Sequence, residues 1–247
     1  MSSNANIKYE TDSIESFYKE HRVTWDDFYP SEKKMFETLE LNRQSCVLDV
    51  GCGCGGLGNA LDSRFNVKNY VGIDINKKAI DTARKLFAQY TFLEGDVLDL
   101  KSPEIPNNYF DLVVSLGCID WNVEFDKMLE AAMNYVKPGG VFLSSFRFSN
   151  ELEKHSQSKS YQYINFQNQH EGEQAPYIVL NPNDLFDKLL QFKPSAIKGY
   201  GYWGSPSKTA ITPYEKICFT VLAITKGPDD QCQFNLELPN DLVCHYG

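Results

Sequence analysis

From residue 46 onward, short apolar runs alternate with stretches whose apolar positions recur every three or four residues. The runs lie at 46–50, 70–73, 90–93, 110–116 and 141–146, and the helical stretches at 57–65, 77–87 and 125–136. Strand and helix signals in alternation predict the βαβ units of a doubly wound α/β fold, with five parallel strands and helices on both faces of the sheet. A Lys137-Pro138-Gly139-Gly140 turn precedes the fifth run. Further on, Asn181-Pro182-Asn183-Asp184 caps a helix reaching about residue 191, and two apolar runs, 196–202 and 216–224, read as a hairpin-like pair closing the sheet.

The flanks break this rhythm. Residues 1–45 form an N-terminal helical cap, in which helical patterns at 13–20 and 31–41 flank the aromatic segment Trp25-Asp26-Asp27-Phe28-Tyr29-Pro30. Residues 149–175, rich in Ser, Gln, Asn, Tyr and His, follow the fifth strand and are the candidate lid or substrate insertion of a central unit spanning 46–226. A short apolar run follows at 177–180, and residues 227–247 read as a tail with one weak strand at 233–238.

Composition narrows the function classes. The chain has 247 residues, 42% of them hydrophobic and 23% charged, which suffices for a sizeable core. Its formal net charge of −9 repels nucleic-acid phosphates and anionic membrane surfaces. With no basic-then-apolar leader and no run of about 18 apolar residues, a cytoplasmic protein is expected, acting as a monomer or homodimer. The seven cysteines are odd in number and several lie inside apolar runs, so they read as reduced thiols. Cys52-Gly53-Cys54 is too tight for a Cys-x-x-Cys site, and His21, His155, His170 and His245 form no ligand cluster, so no metal is expected.

Candidate chemistry concentrates at Val47-Leu48-Asp49-Val50-Gly51-Cys52-Gly53-Cys54-Gly55-Gly56, a strand entering a glycine-rich turn before a helix. Glycine there lets a ligand approach the backbone. Gly51, Gly53 and Gly56 match a dinucleotide spacing, while Gly51, Gly53 and Gly55 match that of an adenosylmethionine loop. Acidic residues separate the two. Asp49 lies two positions before Gly51, inside an apolar strand, where a carboxylate needs a cationic or hydrogen-bonding partner. A pyrophosphate is repelled there, whereas adenosylmethionine brings an α-amino group and a sulfonium. Asp74 ends the second strand, where an acid can hold ribose hydroxyls. Asp96, past the third, can accept from an adenine amine or cap a turn.

Residues 46–146 resemble a class I adenosylmethionine-dependent methyltransferase. The resemblance rests on Val47 to Gly55, Val71-Gly72-Ile73-Asp74-Ile75, Gly95-Asp96-Val97, Phe110-Asp111-Leu112-Val113-Val114-Ser115 and Val136-Lys137-Pro138-Gly139-Gly140, in that order, and extends loosely over residues 30–226. It implies a seven-stranded Rossmann-like sheet with an antiparallel last strand, and S-adenosylmethionine as cofactor, leaving as S-adenosylhomocysteine. The implied cofactor set is Asp49, Gly51, Cys52, Gly53, Gly55, Asp74, Ile75, Asp96, Val97 and Ser115. Phe17-Tyr18-x-x-His21-Arg22 and Asp27-Phe28-Tyr29-Pro30-Ser31-Glu32 also resemble methyltransferases encoded with bacterial capsule or lipopolysaccharide genes. That likeness places the segment over the cofactor, with Arg22 or Tyr29 at the methionine carboxylate; otherwise Arg22 packs against Trp25.

Methyl transfer is an in-line displacement that needs a positioned acceptor and excluded water. Asp120, after the fourth strand, is the candidate general base for a hydroxyl, or the cap of the following helix. Arg147, after the fifth, can pair an acceptor phosphate or carboxylate, or join a surface ion pair. Trp121, His155, Tyr161, Tyr163, Tyr202 and Trp203 are candidate acceptor contacts. A small polar metabolite is expected, most simply a sugar or phosphorylated surface-polysaccharide precursor. The alternatives are N-methylation of a small amine, an NAD-dependent dehydrogenase, which lacks a Tyr-x-x-x-Lys pair here, and a protein that binds the cofactor without turnover.

Overall fold

A computed structural model describes residues 13–122, 124–151, 160–165, 168–227 and 231–245. Its helices are α1 (Ser13–Tyr18), α2 (Pro30–Phe36), α3 (Gly56–Phe65), α4 (Lys77–Leu86), α5 (Phe125–Tyr135) and α6 (Pro182–Gln191). The strands are β1 (Cys46–Val50), β2 (Asn69–Asp74), β3 (Thr91–Glu94), β4 (Phe110–Ser115), β5 (Val136–Phe148), β6 (Tyr161–Tyr163), β7 (Gln174–Pro176), β8 (Pro194–Gly204), β9 (Ala210–Ile211), β10 (Ile217–Lys226) and β11 (Gln233–Glu237).

The main sheet runs β11-β8-β10-β5-β4-β1-β2-β3. Strands β1 to β5 pair in parallel, and β10 lies antiparallel between β5 and β8. The order reverses at β1 and β4, so a crevice opens at their carboxyl ends, the position where such sheets bind ligands. One core cluster holds Leu48, Val113, Phe142 and Phe146 against α5 and α6. A second holds Val47, Leu112 and Leu143 against α2, α3 and α4.

Two expectations need correction. The sheet has eight strands, not seven: the tail strand β11 pairs in parallel with β8 along Gln233↔Ala196 to Glu237↔Tyr200. Its Phe234 and Leu236 pack onto the first core cluster, which gives a weakly patterned segment an apolar anchor. The runs at 196–202 and 216–224 do form an antiparallel pair, β8 and β10, but the pair does not close the sheet, because β11 lies outside β8; its connection also carries β9. With β6 as the centre, β7 and β9 form a separate antiparallel three-stranded sheet, so the 149–175 insertion shares a structure with the loop between β8 and β10. In the short apolar run at 177–180, Leu180 makes a single parallel bridge to Phe148.

The N-terminal segment is docked on the glycine turn and on α3 and α4. The Asn59 amide donates to the Val23 carbonyl at 2.8 Å, and the Thr82 hydroxyl donates to the Glu15 carboxylate at 2.7 Å. A Cβ on Gly56 would stand 2.1 Å from the Arg22 carbonyl oxygen. Gly56→Ala is therefore expected to lower stability by about 1–3 kcal/mol and to speed hydrogen exchange in residues 13–29. Urea unfolding and exchange measurements check both, and unaltered exchange there would mean that Gly56 does not govern the docking.

Candidate active site

The crevice at the ends of β1, β2 and β4 is a cavity of about 600 Å³, within the range that holds a small-molecule ligand. Its floor is the glycine turn. Gly51 and Cys52 both donate their N–H groups to the Ile73 carbonyl, at 2.8 and 3.0 Å, which stitches the turn to the end of β2. Gly51 adopts φ +79°, and a Cβ there would meet the Cys118 sulfur at 2.5 Å. Only glycine fits both the left-handed backbone and that approach.

Three carboxylates stand around this floor. Asp74 accepts the Gly53 and Asn76 N–H groups, each at 2.8 Å, on its two different oxygens. Desolvation still raises its carboxyl above the ordinary range, against the pull of those donors. Asp49 is buried, and the Tyr70 hydroxyl donates to it at 2.5 Å. Burial pushes its carboxyl up to about 7, offset in part by the Tyr70 bond and the Arg22 charge. Asp96 accepts the Leu98 N–H at 3.0 Å, turning the chain after β3.

Opposite them, Arg22 lies in the cavity wall with φ +59°. Its guanidinium is held by the buried Glu32 carboxylate through two bonds, at 3.0 and 3.1 Å, and stacks on Phe28 at 4.5 Å. Glu32 also accepts the Tyr29 N–H at 2.8 Å, so one acid fixes both Arg22 and the start of α2. Tyr29, 60% exposed, stands at the mouth.

Of the residues expected at the site, Arg22, Tyr29, Asp49, Gly51, Cys52, Gly53, Asp74, Ile75, Asp96, Val97, Trp121 and Tyr163 all line this cavity. Gly55 sits just behind, at φ +81° as the cap of α3. Ser115 is fully buried beneath it, its hydroxyl accepting the Ile119 N–H at 3.4 Å. Tyr161 packs edge-on against Tyr163 outside the lining. Tyr202 rests on Phe219, and Trp203 donates to Asp241 at 2.5 Å, clamping the tail rather than facing the cavity. His155 lies outside the described residues. Phe17, Tyr18, Phe28 and Asn122 are in the wall although none of them was singled out as a contact; the signal for the first three was the aromatic segment before the first strand, and Asn122 had none.

Asp120 and Arg147 are not brought to the cavity. They form a buried ion pair at 3.0 Å, and the same guanidinium nitrogen donates to the Asp120 carbonyl at 2.9 Å. Asp120 therefore neither caps α5, whose N-cap is Glu124, nor opens onto the lining, and Arg147 is not a surface residue. The guanidinium lies 4.0 Å from the Tyr177 ring and 5.2 Å from Trp121, tying the turn after β4 to the segment after β7. Burial raises the Asp120 carboxyl while the Arg147 charge lowers it. Burial likewise raises the thiols of Cys52, Cys118 and Cys54, the last to about 12, so all three are neutral fillers. Among the described residues no group of three or more His, Cys, Asp or Glu is placed to hold a metal ion, and no helix is long and apolar enough to cross a membrane.

A family model described as "Methyltransferase domain" matches residues 41–193. The chain belongs to this family. It is 34% identical over 99 residues to a fatty-acid O-methyltransferase of Mycolicibacterium smegmatis, covering 39% of this chain and 35% of that protein. It is 28% identical over 123 residues to a phosphoethanolamine N-methyltransferase of Plasmodium falciparum, covering 49% and 46%. The chain thus spans less than half the length of these two relatives. A solved structure of a SAM-dependent methyltransferase from Methanosarcina mazei superposes with a TM-score of 0.60 at 17% identity, over 82% of this chain and 99% of that one, a likeness of fold.

Two outcomes are expected from this geometry. The folded chain retains a proton on Asp49 that the unfolded chain releases, so stability falls as pH rises from the ordinary carboxylate range to about 7. Asp49→Asn can still accept from Tyr70 but cannot ionise. Its urea midpoint should change less across that window and exceed the wild-type value above it; an unchanged slope would refute the assignment. Arg147→Met leaves the Asp120 carboxyl buried without its partner, and a loss of about 3–5 kcal/mol is expected. A loss under about 1 kcal/mol, the range of an exposed pair, would contradict the buried pairing.

Proposed function

We propose that this protein transfers a methyl group from S-adenosylmethionine to a small polar acceptor. The observation that carries this reading is the convergence of Asp49, Asp74 and the Gly51–Gly53 turn on one cavity, with Arg22 as its facing cation. The residues fit the cofactor. Turn glycines leave room for a ligand against the backbone, and Asp74 keeps a second lone pair on each oxygen for a pair of ribose hydroxyls. Asp49 stands where an ammonium would stabilise its ionised form. Arg22, held by Glu32 in the cavity wall, would meet the amino-acid carboxylate, and Asp96 would accept from the adenine amine. A nicotinamide cofactor fits poorly, since its pyrophosphate at the glycine turn would meet the Asp49 carboxylate.

Bound adenosylmethionine supplies an electrophilic methyl group and a thioether leaving group. The chain's own work is to position and to exclude water. Phe17, Tyr18 and Phe28 wall the cavity, while the turn bearing Trp121 and Asn122, braced by the Asp120–Arg147 pair, sets the acceptor side. The two relatives are named for O- and N-methylation of a fatty acid and of phosphoethanolamine, so kinship alone does not select the acceptor. The polar wall beyond the turn favours a hydroxyl-bearing molecule such as a sugar, the class that a surface-polysaccharide precursor would supply.

Calorimetry should detect adenosylhomocysteine binding and no comparable binding of NAD; the reverse would overturn the reading. Asp74→Ala should weaken adenosylhomocysteine by about 1.5–3 kcal/mol. Because the ligand ammonium favours ionised Asp49, wild-type affinity should rise as pH approaches about 7, with proton release, and Asp49→Asn should lose that dependence.

A further inference from the structure

The far wall of the cavity is built from the turn after β4 and from the small β7-β6-β9 sheet. Gln162 is on the central strand of that sheet, and its amide nitrogen donates to the Ser207 and Thr209 hydroxyls, each at 3.0 Å. With the nitrogen so fixed, the carbonyl oxygen is the group left to accept from a ligand. Asn122 is 6% exposed, lines the same cavity, and accepts the Glu124 N–H on its carbonyl oxygen at 2.8 Å. Its amide nitrogen is the group left to donate. Neighbouring Asn165 is spent on its own loop, donating to the Gln169 and Glu171 carbonyls.

Charge is missing from this wall. Among the described residues that line the cavity, the carboxylates are Asp49, Asp74 and Asp96, and the one Lys or Arg is Arg22, clamped by Glu32. Lys208 stands between Ser207 and Thr209 but is exposed and outside the lining. Arg147, behind the Trp121 wall, is consumed by Asp120. A phosphate or carboxylate at this wall would shed hydration without gaining a countercharge. A hydroxyl or a secondary amide, able to donate and accept at once, matches a fixed acceptor and a fixed donor.

Resting on the methyl-transfer reading, we propose that Asn122 and Gln162 form a specificity pair for an uncharged acceptor bearing hydroxyl or amide groups, and that phosphorylated or carboxylated acceptors are rejected. Both side chains are positioned before any ligand arrives, so little ordering is needed on binding. Neutral sugars and N-acylated amino sugars are of this class.

The test uses the full chain saturated with adenosylhomocysteine and labelled with ¹⁵N. The probes are methyl hexosides and N-acetylhexosamine, compared with hexose phosphates and hexuronates. Neutral probes should shift the side-chain amide signals of Asn122 and Gln162 and bind at least about tenfold more tightly than their anionic counterparts. Gln162→Arg, which places a cation on the wall, should narrow or reverse that preference. Equal or tighter binding of the anionic probes to wild type, or no shift at either amide with any neutral probe up to its solubility limit, overturns the proposal. Adenosylhomocysteine titration of the same sample separates the two readings: its failure to bind would refute the methyltransferase reading, whereas binding together with an anionic preference would refute only the specificity pair.

Discussion

The attachment of the glycine turn to the end of β2 is the constraint on which the site depends. One backbone carbonyl, that of Ile73, receives two N–H groups from the turn, and the next side chain, Asp74, receives a third. These bonds satisfy donors that would otherwise be stranded where a strand stops and a helix begins. Gly51 and Gly53 meet them in left-handed backbone, and the turn so held is the floor of the cavity. The acid that organises the floor is thus also one that lines the cavity, so the turn's geometry and the cavity's charge are not separable at Asp74.

The parallel half of the sheet was legible because its central strands β1 and β4 are buried on both faces and its helices on one, so pattern and burial agree. Strands β1 to β4 fall within about two residues of their apolar runs for that reason. The glycine turn and its three acids were legible because each departs from the local pattern, as a carboxylate inside an apolar run does. Asp120 and Arg147 departed from the pattern in the same way, yet they neutralise each other between the turn after β4 and strand β5. No local signal distinguishes a charge awaiting a ligand from one already matched by a distant partner. The small sheet was illegible for a related cause: its strands have two or three residues, too few for any periodicity, and its third member arrives from a loop 47 positions after Tyr163.

Electrostatically, the cavity is polarised from one end to the other. Its floor gathers carboxylates whose ionisation is resisted by burial, while Arg22 opposes them from a segment that is not part of the sheet. Because Glu32 already balances Arg22, the wall as a whole leans negative, and a cationic ligand relieves the repulsion among its acids. The Arg22 guanidinium, over the Phe28 ring and bonded twice to Glu32, is limited in the geometries in which it can meet an anion.

The placement of β10 governs the order in which the chain can assemble. Strands β1, β2, β3 and β4 are joined by nearby sequence, and their pairings are available once the first half of the chain exists. The outer edge of β5 is different: its partner is β10, with Phe148 meeting Cys218, and β8 in turn waits for β11. During synthesis a long apolar strand edge therefore stays open until the last quarter of the chain has emerged. Such an edge is a template for pairing with other chains, and closing it late couples the success of folding to the speed of translation.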